Sequence, residues 1–439
     1  MDNFEKTTIK DVEIFKKRLL AWAGRQDKCC LLESNKEQSL LEGDVKYGKY
    51  DTLVAIGSEK ELTVMNEGDA FDKLKKFYGD CGGWVFGYFS YDLKNEIESL
   101  GSENKDNIKF PVLQFFSPSV VCMLKGETLT LFNHPNSESF LETGSLIEAV
   151  SKVNVEPIII DKKINVSPRI KKGEYLETVE KIKEHIRYGD IYEINYCQEF
   201  FAEDVVLDPL ELYFRLNEFS GTPFSCYYKD GSRHLACGSP ERFLKKEGNQ
   251  LISQPIKGTK PRGKNKVLDM QMKEALQSSA KEQSENVMIV DLVRNDLSKT
   301  AEKGSVKVDE LCGVYSFKNM HQMISTISSK LKKEVHFIDA IKECFPMGSM
   351  TGAPKIRSME LIEKYEKTKR GLYSGAVGYI DPVGDFDFNV VIRSILYNER
   401  NAYLSFIVGG AITDKSNPIE EYEECLLKAK PILMTLESL

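Results

Sequence analysis

The sequence lacks the features of membrane, secreted and nucleic-acid-binding proteins. No apolar run in its 439 residues approaches the roughly 18 residues that a membrane-spanning helix needs. Residues 1–6 do not have the charged and apolar regions of a signal peptide, which predicts a cytoplasmic protein. A net charge of -7 without clustered lysine and arginine argues against binding nucleic acid through its phosphates.

Cofactor and nucleophile motifs are scarce as well. The ten cysteines are scattered, apart from the adjacent Cys29 and Cys30, and show neither paired C-x-x-C motifs nor His/Cys ligand spacing. They are therefore predicted to be reduced core residues. No nucleotide-binding glycine motif occurs, and we predict no Gly-x-Cys-x-Gly elbow with histidine and glutamate partners of the kind that a glutaminase needs.

The composition that remains is typical of a folded globular protein, with 41% hydrophobic and 29% charged residues. The length suggests two or three domains, or one large domain with an elaborated core. Strand-like runs precede a polar segment at residues 161–172, and helical patterns begin at Glu174. We therefore divide the chain into residues 1–165 and residues 170–439.

Lys257 and Glu241 constrain the function most. Two predicted strands, residues 242–247 and 250–256, flank a tight turn at residues 248–249. A near-symmetric register would place Glu241 opposite Lys257, with Cβ atoms roughly 5 Å apart. A lysine amine can act as a nucleophile, and a neighbouring carboxylate can move protons for it. The alternative is a surface salt bridge across the hairpin.

Two predicted helices carry spaced glutamates. A helix over residues 278–295 is apolar nearly all round and is expected to be buried. The last helix begins after the N-cap Asn417 and carries a charged stripe on the face opposite its apolar one. Pro431 is expected to kink or break it.

These glutamates suggest a magnesium site, because two helices that each offer an (i, i+3) pair can surround one ion with oxygen ligands. Glu285 and Glu424 would be the inner ligands, and Glu282 and Glu421 would act mostly through water. A solvated charged face explains the stripe on the last helix equally well. The spacing does not establish that the two helices meet.

A third candidate lies in a predicted meander over residues 373–380, 386–397 and 402–410. In its middle strand Asp387, Asn389, Val391 and Arg393 share one face. The planar guanidinium of Arg393 matches the two oxygens of a carboxylate. Arg393 is therefore either a carboxylate clamp or an exposed sheet residue.

Several runs together resemble the chorismate-utilising enzyme family and occur in that family's order. They are residues 189–198, 239–243, 255–259, 284–296, 348–355 and 409–410. The resemblance implies an α+β fold with two facing antiparallel sheets and helices outside. Weaker similarity at residues 31–34 and 87–92 links the N-terminal part to the region that accompanies this catalytic part in amino-transferring members. It implies an N-terminal region within the same body, and a pocket that binds tryptophan in some relatives.

Position 257 separates branches of that family. Aminodeoxychorismate synthases resemble this chain in carrying lysine there, whereas anthranilate synthases typically carry alanine. A lysine can add at C2 of chorismate and expel the 4-hydroxyl, and ammonia arriving at C4 then displaces it. Isochorismate and salicylate synthases place a lysine where this chain has Glu193. Amino-transferring members usually have glutamine there, so Glu193 is a departure and receives no role.

The resemblance also implies roles for individual residues. Lys257 is the nucleophile, Glu241 the general acid and base, and His321 lies near the leaving hydroxyl. Magnesium, held by Glu285 and Glu424, binds the C1 carboxylate of chorismate. Further substrate contacts are implied for Arg393, Tyr379, Thr351, Lys428 and the backbone amides of Gly409 and Gly410. A packing or capping role is the alternative for each.

The lack of a glutaminase implies a separate glutamine amidotransferase subunit that supplies ammonia, or direct use of free ammonia. The expected function is the large subunit of an aminodeoxychorismate synthase, which serves p-aminobenzoate and folate biosynthesis. An anthranilate synthase large subunit is the second hypothesis. A catalytically silent scaffold that binds an amidotransferase is the third.

Overall fold

The computed structural model describes residues 4–35, 48–137, 140–155 and 164–439, so part of the predicted linker, residues 161–163, lies outside the described residues. Within these ranges two antiparallel sheets face each other and helices cover their outer sides. The predicted α+β fold is confirmed. The helices are α1 (Val12–Gly24), α2 (Ala70–Cys81), α3 (Lys94–Glu98), α4 (Thr143–Ser151), α5 (Lys172–Tyr188), α6 (Pro209–Ser220), α7 (Lys266–Gln277), α8 (Ala280–Thr300), α9 (Phe337–Cys344), α10 (Lys355–Tyr365) and α11 (Pro418–Glu437).

The larger sheet has twelve strands in the described residues, in the order β1-β8-β7-β3-β2-β11-β12-β21-β22-β10-β18, with β9 paired to β10. Its strands are β1 (Phe4–Thr8), β2 (Lys28–Glu33), β3 (Thr52–Ile56), β7 (Val120–Lys125), β8 (Thr128–Asn133), β9 (Ser167–Pro168), β10 (Glu193–Ala202), β11 (Phe224–Asp230), β12 (Arg233–Ser239), β18 (Gly352–Ala353), β21 (Ser394–Asn398) and β22 (Tyr403–Ile412).

The smaller sheet has ten strands in the same part of the chain, in the order β15-β17-β14-β13-β20-β19-β5-β6-β4, with β16 paired to β17. They are β4 (Lys60–Val64), β5 (Val85–Phe89), β6 (Leu113–Ser117), β13 (Arg242–Glu247), β14 (Gln250–Gln254), β15 (Ile256–Pro261), β16 (Lys307–Ser316), β17 (Met320–Lys330), β19 (Ala376–Ile380) and β20 (Phe386–Asn389).

The N-terminal strands take part in both sheets. Strand β2 pairs with β11, with Leu32 beside Cys226, and β5 pairs with β19, with Phe86 beside Tyr379. Residues before 165 therefore share their backbone hydrogen bonds with the later part of the chain.

The core forms three layers. One lies between the larger sheet and helices α1, α4, α5, α6 and α11, and a second lies between the smaller sheet and helices α2, α8 and α9. The third lies between the two sheets and is rich in aromatic residues, among them Phe86, Tyr88 and Tyr228. No helix in the described part of the chain is long and apolar enough to span a membrane.

Several local predictions are confirmed by the elements. The 248–249 turn joins β13 to β14, and Gly248 supplies the positive φ of 60° that the turn requires. Asn417 caps α11, because its side chain accepts hydrogen bonds from the backbone amides of Ile419 and Glu420.

Other predictions are wrong. Helix α8 is not buried all round, since Val287 is 40% exposed. Helix α11 continues through Pro431 to Glu437, so the predicted alternative of a break at the proline is wrong. The middle strand of the predicted meander is two strands, because β20 belongs to the smaller sheet and β21 to the larger one. The chain crosses between the sheets just before β21.

Candidate active site

Lys257 lies at an irregularity of strand β15. The pairing of β15 with β17 shifts register between Ile256 and Thr259, and Gly258 has a φ of 94°. A bulge of this kind redirects a side chain out of the regular alternation of a strand. Here it places the Lys257 Nζ 2.7 Å from Glu193 Oε1.

The lysine is held as a cation. Burial alone would lower the pKa of Lys257, but the charges of Glu193 and Glu285 outweigh it and bring that pKa to about 12. The Lys257 side chain is 11% exposed and that of Glu193 is fully buried. The second carboxylate oxygen of Glu193, Oε2, has no hydrogen-bond partner among the described residues.

Glu241 lies immediately before strand β13 and is buried. Ser349, in the short 3-10 helix Gly348–Met350 that precedes β18, donates a hydrogen bond of 2.6 Å to Glu241 Oε1. Burial raises the pKa of Glu241 to about 7, although the Ser349 hydrogen bond and the charge of Lys257 act in the opposite direction. A carboxyl group that titrates near neutrality is suited to general acid and base catalysis.

The predicted pairing of Glu241 with Lys257 across the hairpin is wrong. Strand β14 ends at Gln254, which pairs with Arg242, and the chain then continues into β15 along a different part of β17. The ion-pair partner of Lys257 is Glu193. Glu241 and Lys257 nevertheless lie close enough for the charge of each to shift the pKa of the other.

Arg393 occupies the crossing between the sheets. Its φ of 51° lies outside the range of a regular strand, and its carbonyl accepts a hydrogen bond of 3.0 Å from the Gly238 amide of β12. Its guanidinium donates to the Met320 sulfur at 2.7 Å, and burial lowers the pKa of Arg393 to about 10 while the charge of Glu241 opposes that shift. The prediction of an exposed sheet residue is therefore wrong. Arg393 is a partly buried cation whose pKa is shifted by the charge of Glu241.

The two glutamate-bearing helices meet, which spacing alone could not establish. Lys281 of α8 lies between them, with its Nζ 3.9 Å from Glu285 and 3.6 Å from Glu421 of α11. Glu421 is 3% exposed, so the charged stripe of α11 is not a simply solvated face. Burial raises the pKa of Glu285 to about 7, and its Oε1 has no hydrogen-bond partner in the described chain.

These carboxylates match a hard divalent cation in donor chemistry, and the ammonium of Lys281 stands in for such a charge between them. They are not assembled as a cage, because no three His, Cys, Asp or Glu side chains in the described ranges are grouped for metal binding. Glu282 packs against the bulge, where a Cβ on Gly258 would lie 3.0 Å from Glu282 Oε2. Glu424 forms an ion pair of 2.7 Å with Lys428.

Lys428, Gly409 and Gly410 adjoin this acidic group. The Lys428 Nζ donates to the Gly409 carbonyl at 3.0 Å. A Cβ on Gly410 would lie 3.3 Å from Glu421 and 3.7 Å from Glu424, so the missing side chain leaves room beside the carboxylates. Thr351 is fully buried, and its hydroxyl donates to the carbonyls of Met347 and Gly348.

Two predicted site residues have other neighbours. Tyr379 lies in the aromatic layer between the sheets, with its ring centroid 5.4 Å from that of Trp84 and 5.9 Å from that of Phe86. His321 shares hydrogen bonds with Ser316 at 2.8 Å and with Asp269 at 3.1 Å. Both ring nitrogens of His321 are thus engaged within the protein.

Glu193 and Ser349 contact the two central residues, but sequence reasoning assigns neither a role. Both lie in runs that carry the family resemblance, and Glu193 is itself a departure from the family's usual residue. Their contacts depend on tertiary structure, because Glu193 is 64 residues from Lys257 and Ser349 is 108 residues from Glu241.

Sequence comparisons relate the chain to enzymes that act on chorismate. A family model described as chorismate binding enzyme matches residues 27–434. The chain is 30% identical to aminodeoxychorismate synthase component 1 of Bacillus subtilis, covering 93% of each chain. It is 32% identical to anthranilate synthase component 1 of the same organism, covering 81% of this chain and 73% of that protein.

Solved structures agree with the fold. The crystal structure of anthranilate synthase component I from Streptococcus pneumoniae superposes with a TM-score of 0.76 at 25% identity, covering 90% of this chain and 95% of that one. The chain spans 31% and 40% of the length of two plant aminodeoxychorismate synthases that it also matches.

Proposed function

The chain belongs to the chorismate-binding enzyme family, and on that basis we propose that it is the large subunit of an aminodeoxychorismate synthase. It converts chorismate and ammonia to 4-amino-4-deoxychorismate and water. The observation that carries the proposal is Lys257, a buried amine on a bulged strand, near a buried carboxyl with a pKa of about 7.

The reaction divides into two displacements. The Lys257 amine adds at C2 of chorismate, the C4–O bond breaks, and Glu241 protonates the departing hydroxyl, which leaves as water. Ammonia then adds at C4, the bond between C2 and Lys257 breaks, and Glu241 takes the surplus proton from the new amine. Glu241 thus returns to its starting protonation state. The Arg393 guanidinium, which lies near Glu241, suits a substrate carboxylate.

The acidic group between α8 and α11 is the proposed magnesium site, with Glu285 and Glu424 as inner ligands and Glu282 and Glu421 acting through water. Glu285 Oε1, which is buried and accepts no hydrogen bond from the described residues, supports this assignment, and so does the ammonium of Lys281 3.9 Å from it. Magnesium, when bound, screens the charge of the C1 carboxylate of chorismate. Lys428 and the amides of Gly409 and Gly410 adjoin the same group and complete the carboxylate contacts.

Ammonia comes from a separate glutamine amidotransferase subunit in this proposal. The relatives named component 1 support a partner of some kind.

Anthranilate synthase is the second candidate. The similar identity to an anthranilate synthase component 1 supports it. In that reaction ammonia adds directly at C2, so a lysine nucleophile is unnecessary. The reaction product therefore decides between the two candidates.

The test is mass spectrometry of the products formed from chorismate, magnesium and ammonium at alkaline pH. We expect aminodeoxychorismate from the wild type. Lys257→Ala should form it at least about 100-fold more slowly, because without the lysine amine the covalent route is no longer available. Lys245→Ala is the control, because Lys245 is also a buried, ion-paired lysine of the smaller sheet. Anthranilate from the wild type would contradict the proposal, and so would full activity of Lys257→Ala.

A further inference from the structure

Glu193 is the residue in direct contact with the proposed nucleophile. It opens strand β10 and pairs in the ladder with Ala353 of β18. Its carboxylate is fully buried, with Oε1 accepting from the Lys257 Nζ at 2.7 Å and Oε2 without a partner among the described residues. A buried carboxylate with one free oxygen retains the capacity to accept a proton.

A lysine that acts as a nucleophile must first lose a proton, because only the neutral amine carries a free electron pair. Lys257 starts as an ammonium in an ion pair and is nearly closed off from solvent. A group in contact with Nζ must therefore take the proton before the amine attacks.

The other carboxylates around Lys257 are less suited to this task. Glu241 accepts from Ser349 and is required as the acid for the leaving hydroxyl. Glu424 is paired with Lys428 at 2.7 Å. The charge of Glu285 raises the pKa of Lys257, but the two side chains form no ion pair within 4 Å in the described structure. Glu193 alone among these four hydrogen-bonds the amine.

We propose that Glu193 is a catalytic residue that accepts the proton of Lys257 before the amine attacks, and returns it when the amine is displaced. The inference rests on the proposed function. In the first step the Nζ–H bond breaks and an O–H bond forms on Glu193. When ammonia displaces the lysine, the released amine recovers that proton, so the pair begins each turnover as ammonium and carboxylate.

This arrangement predicts a particular dependence on pH. The charged groups that face Lys257 are Glu193 from β10, Glu241 from the start of β13, Glu285 from α8, and Glu424 and Lys428 from α11. Transfer within the Lys257–Glu193 pair leaves the number of bound protons unchanged. The wild-type rate therefore has no acid limb that arises from Lys257.

Glu193→Gln preserves the shape and the hydrogen-bond acceptor but removes the proton acceptor. Lys257 must then lose its proton to the solvent, and the fraction of neutral amine rises about tenfold per pH unit below the lysine pKa. The measurement is kcat/KM for chorismate across the neutral and alkaline range. We expect the ratio of variant to wild type to rise about tenfold per pH unit and then level off. Taking the ratio cancels the dependence that arises from Glu241.

Glu199→Gln is the matched control. Glu199 is a buried glutamate on the same strand, and it pairs with Arg169 at 2.9 Å instead of with the site. We expect the ratio of kcat/KM for Glu199→Gln to that of the wild type to stay constant with pH. Glu193→Asp keeps the carboxylate, so its kcat/KM should be lower than that of the wild type by a factor that does not change with pH. A constant ratio for folded Glu193→Gln would overturn the proposal, and so would a tenfold rise per pH unit for Glu193→Asp.

A second measurement does not require turnover. The extent of Lys257 acetylation by acetic anhydride, mapped by mass spectrometry across pH, reports when the amine becomes neutral. Loss of the Glu193 charge removes one of the causes that raise the pKa of Lys257 against burial, so labelling should begin at lower pH in Glu193→Gln than in the wild type. Unchanged labelling would contradict the pairing. A wild type that forms no aminodeoxychorismate would instead refute the proposed function, and these two failures are distinct.

Discussion

At the scale of single residues, the buried contact between Ser349 and Glu241 limits how far burial raises the pKa of the proposed general acid. Burial raises the pKa of Glu241 to about 7, and the hydroxyl of Ser349 opposes that rise by donating to the carboxylate. A carboxyl group that must be protonated to act as an acid loses activity as the pH rises through its pKa. The proposed function therefore predicts an alkaline limb near neutrality in kcat/KM.

Ser349→Ala should move that alkaline limb to higher pH. Removal of the donor destabilises the carboxylate, so the pKa of Glu241 rises further and the acid form persists longer. The measurement is the pH dependence of kcat/KM for chorismate. Ser405→Ala is the control, because Ser405 donates to the buried carboxylate of Glu199 at 2.8 Å, outside the site. A limb that stays in place or moves to lower pH would show that Glu241 does not determine it.

At the same scale, Lys257 and Glu241 could be selected from their residue types and spacing in the sequence. The contact predicted between them was wrong. A lysine and a glutamate that flank a hairpin can be read from the sequence, whereas the strand register that would bring them together depends on where each strand ends. Here β14 ends at Gln254 and β15 starts a new alignment with β17. One shifted register was sufficient to give Lys257 a different partner.

At the scale of elements, the bulge in β15 fixes the direction of Lys257. Gly258 has a φ of 94°, and a Cβ there would lie 3.2 Å from the Cβ of Glu282 and 3.2 Å from Leu276 of α7. Glycine is required on both counts, because other residues are strained at positive φ and the space is closed.

Gly258→Ala should therefore destabilise the fold and displace Lys257. Gly248→Ala is the control, because Gly248 also has a positive φ, of 60°, but a Cβ added there would have no atom within 4 Å. We expect the control to lose about 1–2 kcal/mol in the free energy of unfolding. Gly258→Ala should lose more and should reduce kcat, as measured by urea denaturation and steady-state kinetics. An equal loss of unfolding free energy in Gly258→Ala and Gly248→Ala would show that α7 and α8 adapt to the added methyl group.

Helix α11 shows why local rules fail at Pro431. A proline inside a helix costs about 3 kcal/mol, because a backbone hydrogen bond is lost and the ring meets the preceding turn. The residues on both sides of Pro431 bury Ala429, Ile432 and Leu436 against the larger sheet, and the Thr435 hydroxyl donates to the Pro431 carbonyl. Burial of these side chains offsets the cost, so the helix continues.

At the scale of the whole molecule, the N-terminal region and the catalytic region form shared sheets. Removal of the first region would leave β11 and β19 with unpaired backbone groups and expose the aromatic layer between the sheets. Unpaired sheet edges and exposed apolar surface favour aggregation.

The fragment 164–439 produced alone should therefore aggregate or stay unfolded, as measured by size-exclusion chromatography and circular dichroism. Co-expression of fragments 1–163 and 164–439 should restore a folded complex, since the missing strands are supplied in trans. The uncut chain is the control. A folded, monomeric 164–439 fragment would show that the two regions are independent.

The sequence alone determined the fold class of this protein and selected most of the residues of its candidate site. Residue chemistry and short motifs are local properties, so Lys257, Glu241, Glu285 and Glu424 could be selected without coordinates. The Asn417 cap and the 248–249 turn were predictable for the same reason, because neighbouring residues satisfy their hydrogen bonds.

Only the tertiary structure decided which of these groups meet. Three contacts join residues far apart in the chain: Glu193 with Lys257, Lys281 of α8 with Glu421 of α11, and Arg393 with Met320. Such contacts depend on strand register and helix packing, which are set by the burial of whole faces and not by any local pattern. The pKa of Glu241 follows from that burial as well, so the protonation state of the site is a property of the fold.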